Sequence, residues 1–460
     1  MQSLLTPFET YMLLDETPSH PMEFFYRLRF DGPLDPGSVK DAAARAVARH
    51  PLLGSRIEWG RAARPRFLPL EQRRIAAEII QTATVAECES LPRIPPLDLS
   101  AGPLVRIVAV AGPQIDGSPS GPRELIAQFH HVACDGLGAL AFLADLLELI
   151  ASNLLDRAPD LEPIDPSRLA RRGRYGLDAW KLLRSLPAQA RGLEGVWKFI
   201  RHRPGRFPPD VGATGVAREL AAVSSAYSHV EAAALRRTAA AASLSLNEIA
   251  TAALFTALAA EVLPPASTGG SAEVIRLSIP MNLRQAADRR MPAANVVSMV
   301  FLDRTAAQIA DREGLLRSIH EEMQLIKDNG LGMTFIHTLA AARCGPGGIA
   351  ALVRSRSTAA TALFTNLGRI FRRADRRLAR EGRTATVSLG PVRLVAVDGL
   401  APLRRGTPLA MAAIEYGGSL GFTIRFDPTV ISGERACRIR DGFDVAMRRS
   451  LVGLRAEAVV

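Results

Sequence analysis

Two adjacent histidines, His130 and His131, stand four residues before Asp135-Gly136, at the end of an apolar segment that starts at Glu124. The chain has eight histidines, and this is the only adjacent pair. An imidazole suits proton transfer, because its unperturbed pKa of about 6.5 leaves a neutral, proton-accepting form at pH 7. Side chains alternate across a strand. Gln128 and His130 therefore face one way, Phe129 and His131 the other. One histidine can look into a cleft as a general base while the other supports it from behind. The same divergence argues against a metal site made of His130, His131 and Asp135. Cys134 lies inside the cluster, and its small apolar character is enough to explain it there.

Those residues need a strand end, a tight turn and a helix. Residues 124–131 read as a strand, paired through a Gly/Pro/Ser-rich hairpin loop (112–122) with a strand over 104–111. Gly136 opens a helix whose apolar positions run from Leu140 to Ile150. A strand over 20–30 and a helix over 36–50 precede this unit. A long alanine-rich helical region over 233–262 is interrupted near Ser243 and restarted by the capping box Ser245 to Glu248. Strands at 273–281 and 295–303 lead into a helix over 306–329. Strands at 385–398, 409–416 and 419–426 precede a last helix over 432–454, and Tyr416-Gly-Gly-Ser is a hairpin signal. Strands and helices alternate in two halves of similar size, an α/β plan with two lobes.

The motif His-His-x-x-x-Asp-Gly resembles the signature of the CoA-dependent acyltransferase superfamily. That superfamily has a chloramphenicol-acetyltransferase-like fold. It includes peptide-synthetase condensation domains, polyketide-associated and alcohol acyltransferases, and wax ester synthase/diacylglycerol acyltransferases. Four further segments are similar to the family in order: Ala48 to Ile57, Pro96 to Arg106, Ile279 to Arg284 followed by Asn295 to Ser298, and Thr365-Asn-Leu-Gly368. The opening from Leu5 to Met22 is similar to the wax ester branch, and the loop at Thr365 to the polyketide-associated or alcohol branch.

The resemblance implies two lobes, each a mixed β-sheet with packed helices, with an active-site tunnel between them. Residues 1–160 would form the lobe carrying the histidines, 161–215 a basic crossover, and 216–460 the second lobe. It implies acyl transfer from a thioester, most simply acyl-CoA, to a hydroxyl of a lipid or secondary metabolite. His131 would be the general base, His130 its support, and Gly136 part of the turn and oxyanion region. Asp135 would be structural, in a salt bridge with Arg284. Thr365, Asn366, Gly368 and Asn295 would shape the substrate site. No bound cofactor and no metal are expected; acyl-CoA or an acyl-carrier thioester enters as co-substrate. Two alternatives stay open: condensation-like N-acylation of an amine fed by an acyl carrier protein, and a non-catalytic carrier- or lipid-binding member of the fold.

Composition sets outer bounds. At 460 residues and 48% hydrophobic content, the chain supports two packed lobes. Its four cysteines are scattered and form no C-x-x-C, which fits reduced thiols in a cytoplasmic protein. No secretory signal or spanning segment is visible. Between Arg168 and Arg206, eleven basic residues face two acidic ones, and Trp180 and Trp197 lie among them. Three readings of this crossover stay open: a solvated helix, a surface meeting anionic lipid at the inner membrane, or attraction of a carrier or of CoA phosphates. A nucleic-acid role is not expected, since no recognition motif accompanies the charge.

Overall fold

The computed structural model describes residues 3–60, 64–70, 77–81, 93–111, 121–175, 195, 197–216, 219–263, 273–354, 359–371, 380–381 and 386–457. Residues 112–120 of the expected hairpin loop, Trp180, Cys88 and most of the arginine-rich stretch 369–383 fall outside them.

Two sheets dominate. The first has five strands: β1 (Glu23–Phe30), β2 (Ala77–Gln81), β3 (Val105–Ala111), β4 (Pro122–His130) and a strand from the far end of the chain. The second is built on β5 (Ala222–Tyr227), β6 (Glu273–Asn282), β7 (Val297–Arg304) and β8 (Ala362–Arg369). Three more strands belong to these two sheets, β9 (Leu394–Leu400), β10 (Leu409–Tyr416) and β11 (Ser419–Phe426). Strand order is β9-β1-β4-β3-β2 in the first sheet and β7-β6-β8-β10-β11-β5 in the second. Thus β9 leaves the C-terminal half and pairs antiparallel with β1, Gly399 opposite Tyr26. It crosses the boundary between halves that the sequence suggests. Period-2 alternation marks a strand but does not say which edge it joins.

The helices follow local rules. α1 (Pro7–Asp15) starts in a capping box between Thr6 and Glu9. α2 (Pro36–Arg49) is capped by Asp35. It is fastened by Arg49 and His50, which both donate to Asp145, at 2.6 and 3.2 Å. α3 (Gly136–Leu154) is long and apolar enough to cross a membrane, but its apolar window is 72% buried inside the protein, so core packing explains it. α4 (His229–Ala241) and α5 (Leu246–Val262) meet at 101°, because Ser243 takes a left-handed φ of 54° and Ser245 caps the new helix.

The helix expected over 306–329 is two, α6 (Ala306–Ala310) and α7 (Arg312–Asp328). Asp311 leaves helical geometry to cap the second through the Gly314 amide. The strand expected over 385–398 is broken by a turn at Gly390, φ 82°. α8 (Thr334–Cys344) and α9 (Gly348–Arg354) were not foreseen; their few buried apolar residues give weak periodicity. α10 (Gly433–Glu457) closes the second lobe, packing Phe443 on Phe422 at 4.8 Å.

Candidate active site

β4 ends at His130, and the chain then turns through Val132 and Ala133 into α3. The alternation expected along β4 is present. On one face Gln128 donates to Glu23 at 2.7 Å. Glu23 is buried, and burial lifts its carboxyl above the usual range. His130, on the same face, is 1% exposed. Its Nδ1 accepts from the Val132 amide at 3.1 Å, and its Nε2 hydrogen-bonds Glu16. Both nitrogens are committed, so His130 holds the turn and is not available to a substrate.

His131 faces the other way. Its amide donates to Met22 O at 2.8 Å, and its ring sits 5.3 Å from Phe24 and 6.1 Å from Phe8, centroid to centroid. Nδ1 is buried and makes no hydrogen bond of good geometry. The accessible edge of the ring therefore carries Nε2. Burial pushes the imidazole below its usual pKa of 6.5; its own backbone carbonyl and Asp135 pull partly the other way. The proton-accepting form is favoured.

That edge opens on a cavity of about 130 Å³ between the two sheets. Phe24 and Tyr26 of β1 meet Leu363, Thr365 and Leu367 of β8 across it. The walls are mainly apolar, which strengthens any electrostatic interaction inside.

Asp135 locks the lobes together behind the histidine. Oδ1 accepts from the Gly138 amide at 2.8 Å and from Arg284 Nη2 at 2.9 Å. Oδ2 accepts from Arg284 Nη1 at 2.9 Å and from the Val296 amide at 2.8 Å. The carboxylate thus caps α3 while gripping the hairpin between β6 and β7. With four donors satisfied it has no lone pair left for the His131 ring. The Asp135–Arg284 pairing is the one the resemblance implies.

Gly136 stands at a close approach of side chains. A Cβ there would lie 2.8 Å from Leu367 Cδ2 and 3.1 Å from the Tyr26 hydroxyl, which donates to Gly136 O. A larger residue there would force the Leu367 and Tyr26 side chains to shift.

Three expectations change. Asn295, expected at the substrate, is fully buried and absent from the cavity wall. Its Nδ2 donates to the carbonyls of His131 and Val132, at 2.8 and 3.0 Å. It is a positioning residue beneath the histidine. We expect Asn295→Ala to lower kcat while leaving KM nearly unchanged; steady-state kinetics would reveal a binding role instead if KM alone rose. Thr365 to Gly368, expected as a loop, is the end of β8, irregular between Asn366 and Arg369. Thr365 and Asn366 line the cavity; Gly368 does not, and its amide is spent on Asn366 Oδ1 at 2.8 Å. Gly368 supplies a left-handed φ of 63° to the bulge rather than a substrate contact.

Sequence reasoning also missed Tyr11, Asp15 and Arg404, all on the cavity wall. A carboxylate closing the apolar run Tyr-Met-Leu-Leu-Asp was the available signal.

The crossover is less uniformly basic outside than its charge count suggests. Arg172 turns inward, 3% exposed, and bonds Glu9 at 2.7 and 3.0 Å. Arg276, nearby on β6, stacks over Phe199 at 4.2 Å. Trp197 and Ile200 are outside, 55% and 63% exposed, with Arg201 over the indole at 4.8 Å.

No family model matches the chain, and no curated protein matches it in sequence. Solved structures do. The first condensation domain of the calcium-dependent antibiotic synthetase, in complex with a substrate analogue, superposes with a TM-score of 0.68 at 17% identity, covering 98% of this chain and 97% of that one. The epimerization domain from the third module of tyrocidine synthetase B gives 0.66 at 16%, covering 99% and 97%. Polyketide synthase associated protein 5 from Mycobacterium tuberculosis gives 0.60 at 15%, covering 97% and 98%. Over nearly its whole length, this chain has the two-lobed fold of these condensation and epimerization domains.

Proposed function

We propose that this protein transfers an acyl group from a thioester, in the first instance acyl-CoA, to a hydroxyl acceptor, with His131 as general base. The observation that carries the reading is His131 itself. It is a partly buried imidazole, biased to its neutral form, with its free edge in an apolar cavity between two sheets. A starter condensation domain of rhizomide synthetase, similar in fold at a TM-score of 0.64 and 13% identity, was solved in complex with C8-CoA. An acyl-CoA donor for this chain rests on that analogy.

His131 Nε2 takes the acceptor's hydroxyl proton as its oxygen attacks the thioester carbonyl. The tetrahedral intermediate places negative charge on the former carbonyl oxygen. Donors within reach of the cavity are the Thr365 hydroxyl, Asn366 Nδ2 and the amides opening α3, whose positive helix end adds to them. The intermediate collapses, the thiolate leaves, and the imidazolium returns the proton to sulfur. Water exclusion and alignment in the cavity supply much of the remaining acceleration.

Release of free CoA thiol from acyl-CoAs of several lengths, with a panel of alcohols and amines, tests the reading. Release that requires an acceptor supports it, and absence of release from every donor overturns the acyl-CoA form. Amine-dependent release from a carrier-bound thioester would favour N-acylation, a reading encouraged by the condensation-domain neighbours. A cytoplasmic location is proposed with it. Exposed Trp197 and Ile200 make the crossover our candidate for contact with a lipid acceptor's membrane.

The pH dependence has a defined sign. The folded protein holds the His131 proton less tightly than a free imidazole, so the base stays competent down to pH values below 6.5. We expect kcat/KM to fall on an acid limb with its midpoint below 6.5. A midpoint above 7 would contradict the assignment of that limb to His131.

A further inference from the structure

One charged group of the cavity has no part in proton transfer. Asp15, at the end of α1, and Arg404, between β9 and β10, line the cavity beside Tyr11. Arg404 Nη2 donates to Asp15 Oδ1 at 2.7 Å, with side chains 16% and 7% exposed. The guanidinium carbon lies 5.8 Å from the Tyr11 ring centroid.

The pair is incomplete. Asp15 Oδ2 and Arg404 Nε are buried with no hydrogen-bond partner. Two other tightly held pairs behave differently. Asp135 accepts four hydrogen bonds, and Arg172 spends its donors on Glu9, Ser3 and the carbonyls of Leu4 and Leu169. A buried ion pair with unsatisfied atoms is costly, and a packed core gains nothing from it. Those two atoms are shielded from the cavity as well; what an occupant can meet is the partly exposed remainder of the pair, chiefly the Arg404 guanidinium.

The electrostatics select the partner. Asp15 and Arg404 neutralise one another, so a carboxylate entering beside Arg404 is repelled by Asp15, and an ammonium beside Asp15 by Arg404. A neutral oxygen, as in an amide or a hydroxyl, meets neither penalty and accepts from the guanidinium. We propose that Tyr11, Asp15 and Arg404 form a polar subsite of the cavity, which takes a neutral, oxygen-bearing group of a substrate away from the reacting centre. The proposal rests on the acyl-transfer reading only in calling the occupant a substrate. The same chemistry occurs in the pantetheine amides of a CoA donor and in a second hydroxyl of an acceptor.

Calorimetric titration tests it with octanamide, 1,2-octanediol, octanoate and octylammonium as probes. In the wild type, octanamide and the diol bind more tightly than either ion. Asp15→Asn leaves Arg404 uncompensated and should tighten octanoate about tenfold. Arg404→Gln should weaken octanoate and tighten octylammonium. Opposite shifts in the two variants support the subsite; shifts in one direction, or none, overturn it. If only one single variant folds, its shift decides. If neither folds, the charge-neutral double variant decides, with octanamide binding at least about fivefold weaker expected and unchanged binding fatal. Saturating coenzyme A separates the sources: displacement of octanamide assigns the subsite to the donor arm, and persistence assigns it to the acceptor. Thiol release by the same wild-type preparation is read separately. Its absence beside intact charge-dependent binding would sink acyl transfer and leave the subsite standing.

Discussion

His131→Ala is expected to reduce acyl transfer by about 10²–10⁴-fold, the range that a positioned general base contributes. The loss should appear in kcat, since the imidazole acts on a proton that moves only in the transition state. Binding of the thioester should persist, because the cavity walls are built by Phe24, Leu363, Leu400 and their neighbours. The fold should persist as well. The residue's structural hydrogen bonds, its amide to Met22 and its carbonyl to Asn295, are backbone groups that alanine keeps. Thiol-release kinetics beside a thermal melt make the test. A variant that melts like the wild type and turns over at a near-normal rate would remove His131 from the chemistry.

Asp135→Asn should damage stability first. It leaves Arg284 facing a neutral amide that also carries donors, and two backbone amides lose a charged acceptor. Removing one partner of a buried ion pair costs about 3–5 kcal/mol. Asp135 is 3% exposed and lies in that regime, while Arg284, 20% exposed in its side chain, moderates the cost. Losing the helix cap adds to the damage. Denaturant unfolding should show a lower midpoint. Activity should fall with it, since Asp135 fixes the hairpin whose Asn295 holds the His131 carbonyl. Unchanged midpoint and unchanged rate together would show that the pair neither joins the lobes nor supports the base.

Much of this was legible in the sequence, and for identifiable reasons. The opposite facing of His130 and His131 follows from the strand period alone. The break at Ser243 was visible because Ser245 and Glu248 spell a capping box. The Asp135–Arg284 pairing came from resemblance rather than from periodicity, as a contact across 149 residues must. Other features were hidden. Asp311 reads as one more polar residue in a helix, and only its capping of the Gly314 amide divides α6 from α7. Asn295 looks like any site-lining polar residue until burial and two carbonyl partners define it.

The sequence by itself determined most of the long local elements, the two-lobed α/β plan and the histidine with its turn. These depend on alternation, capping and glycine, which act over a few residues. Tertiary structure alone decided that β9 crosses to the first sheet, that Arg172 faces inward, and that Tyr11, Asp15 and Arg404 meet His131 around one cavity. Such contacts join segments up to hundreds of residues apart. Which edge a strand joins, and which charge is buried with which, depends on how whole surfaces fit together, and no local pattern encodes that.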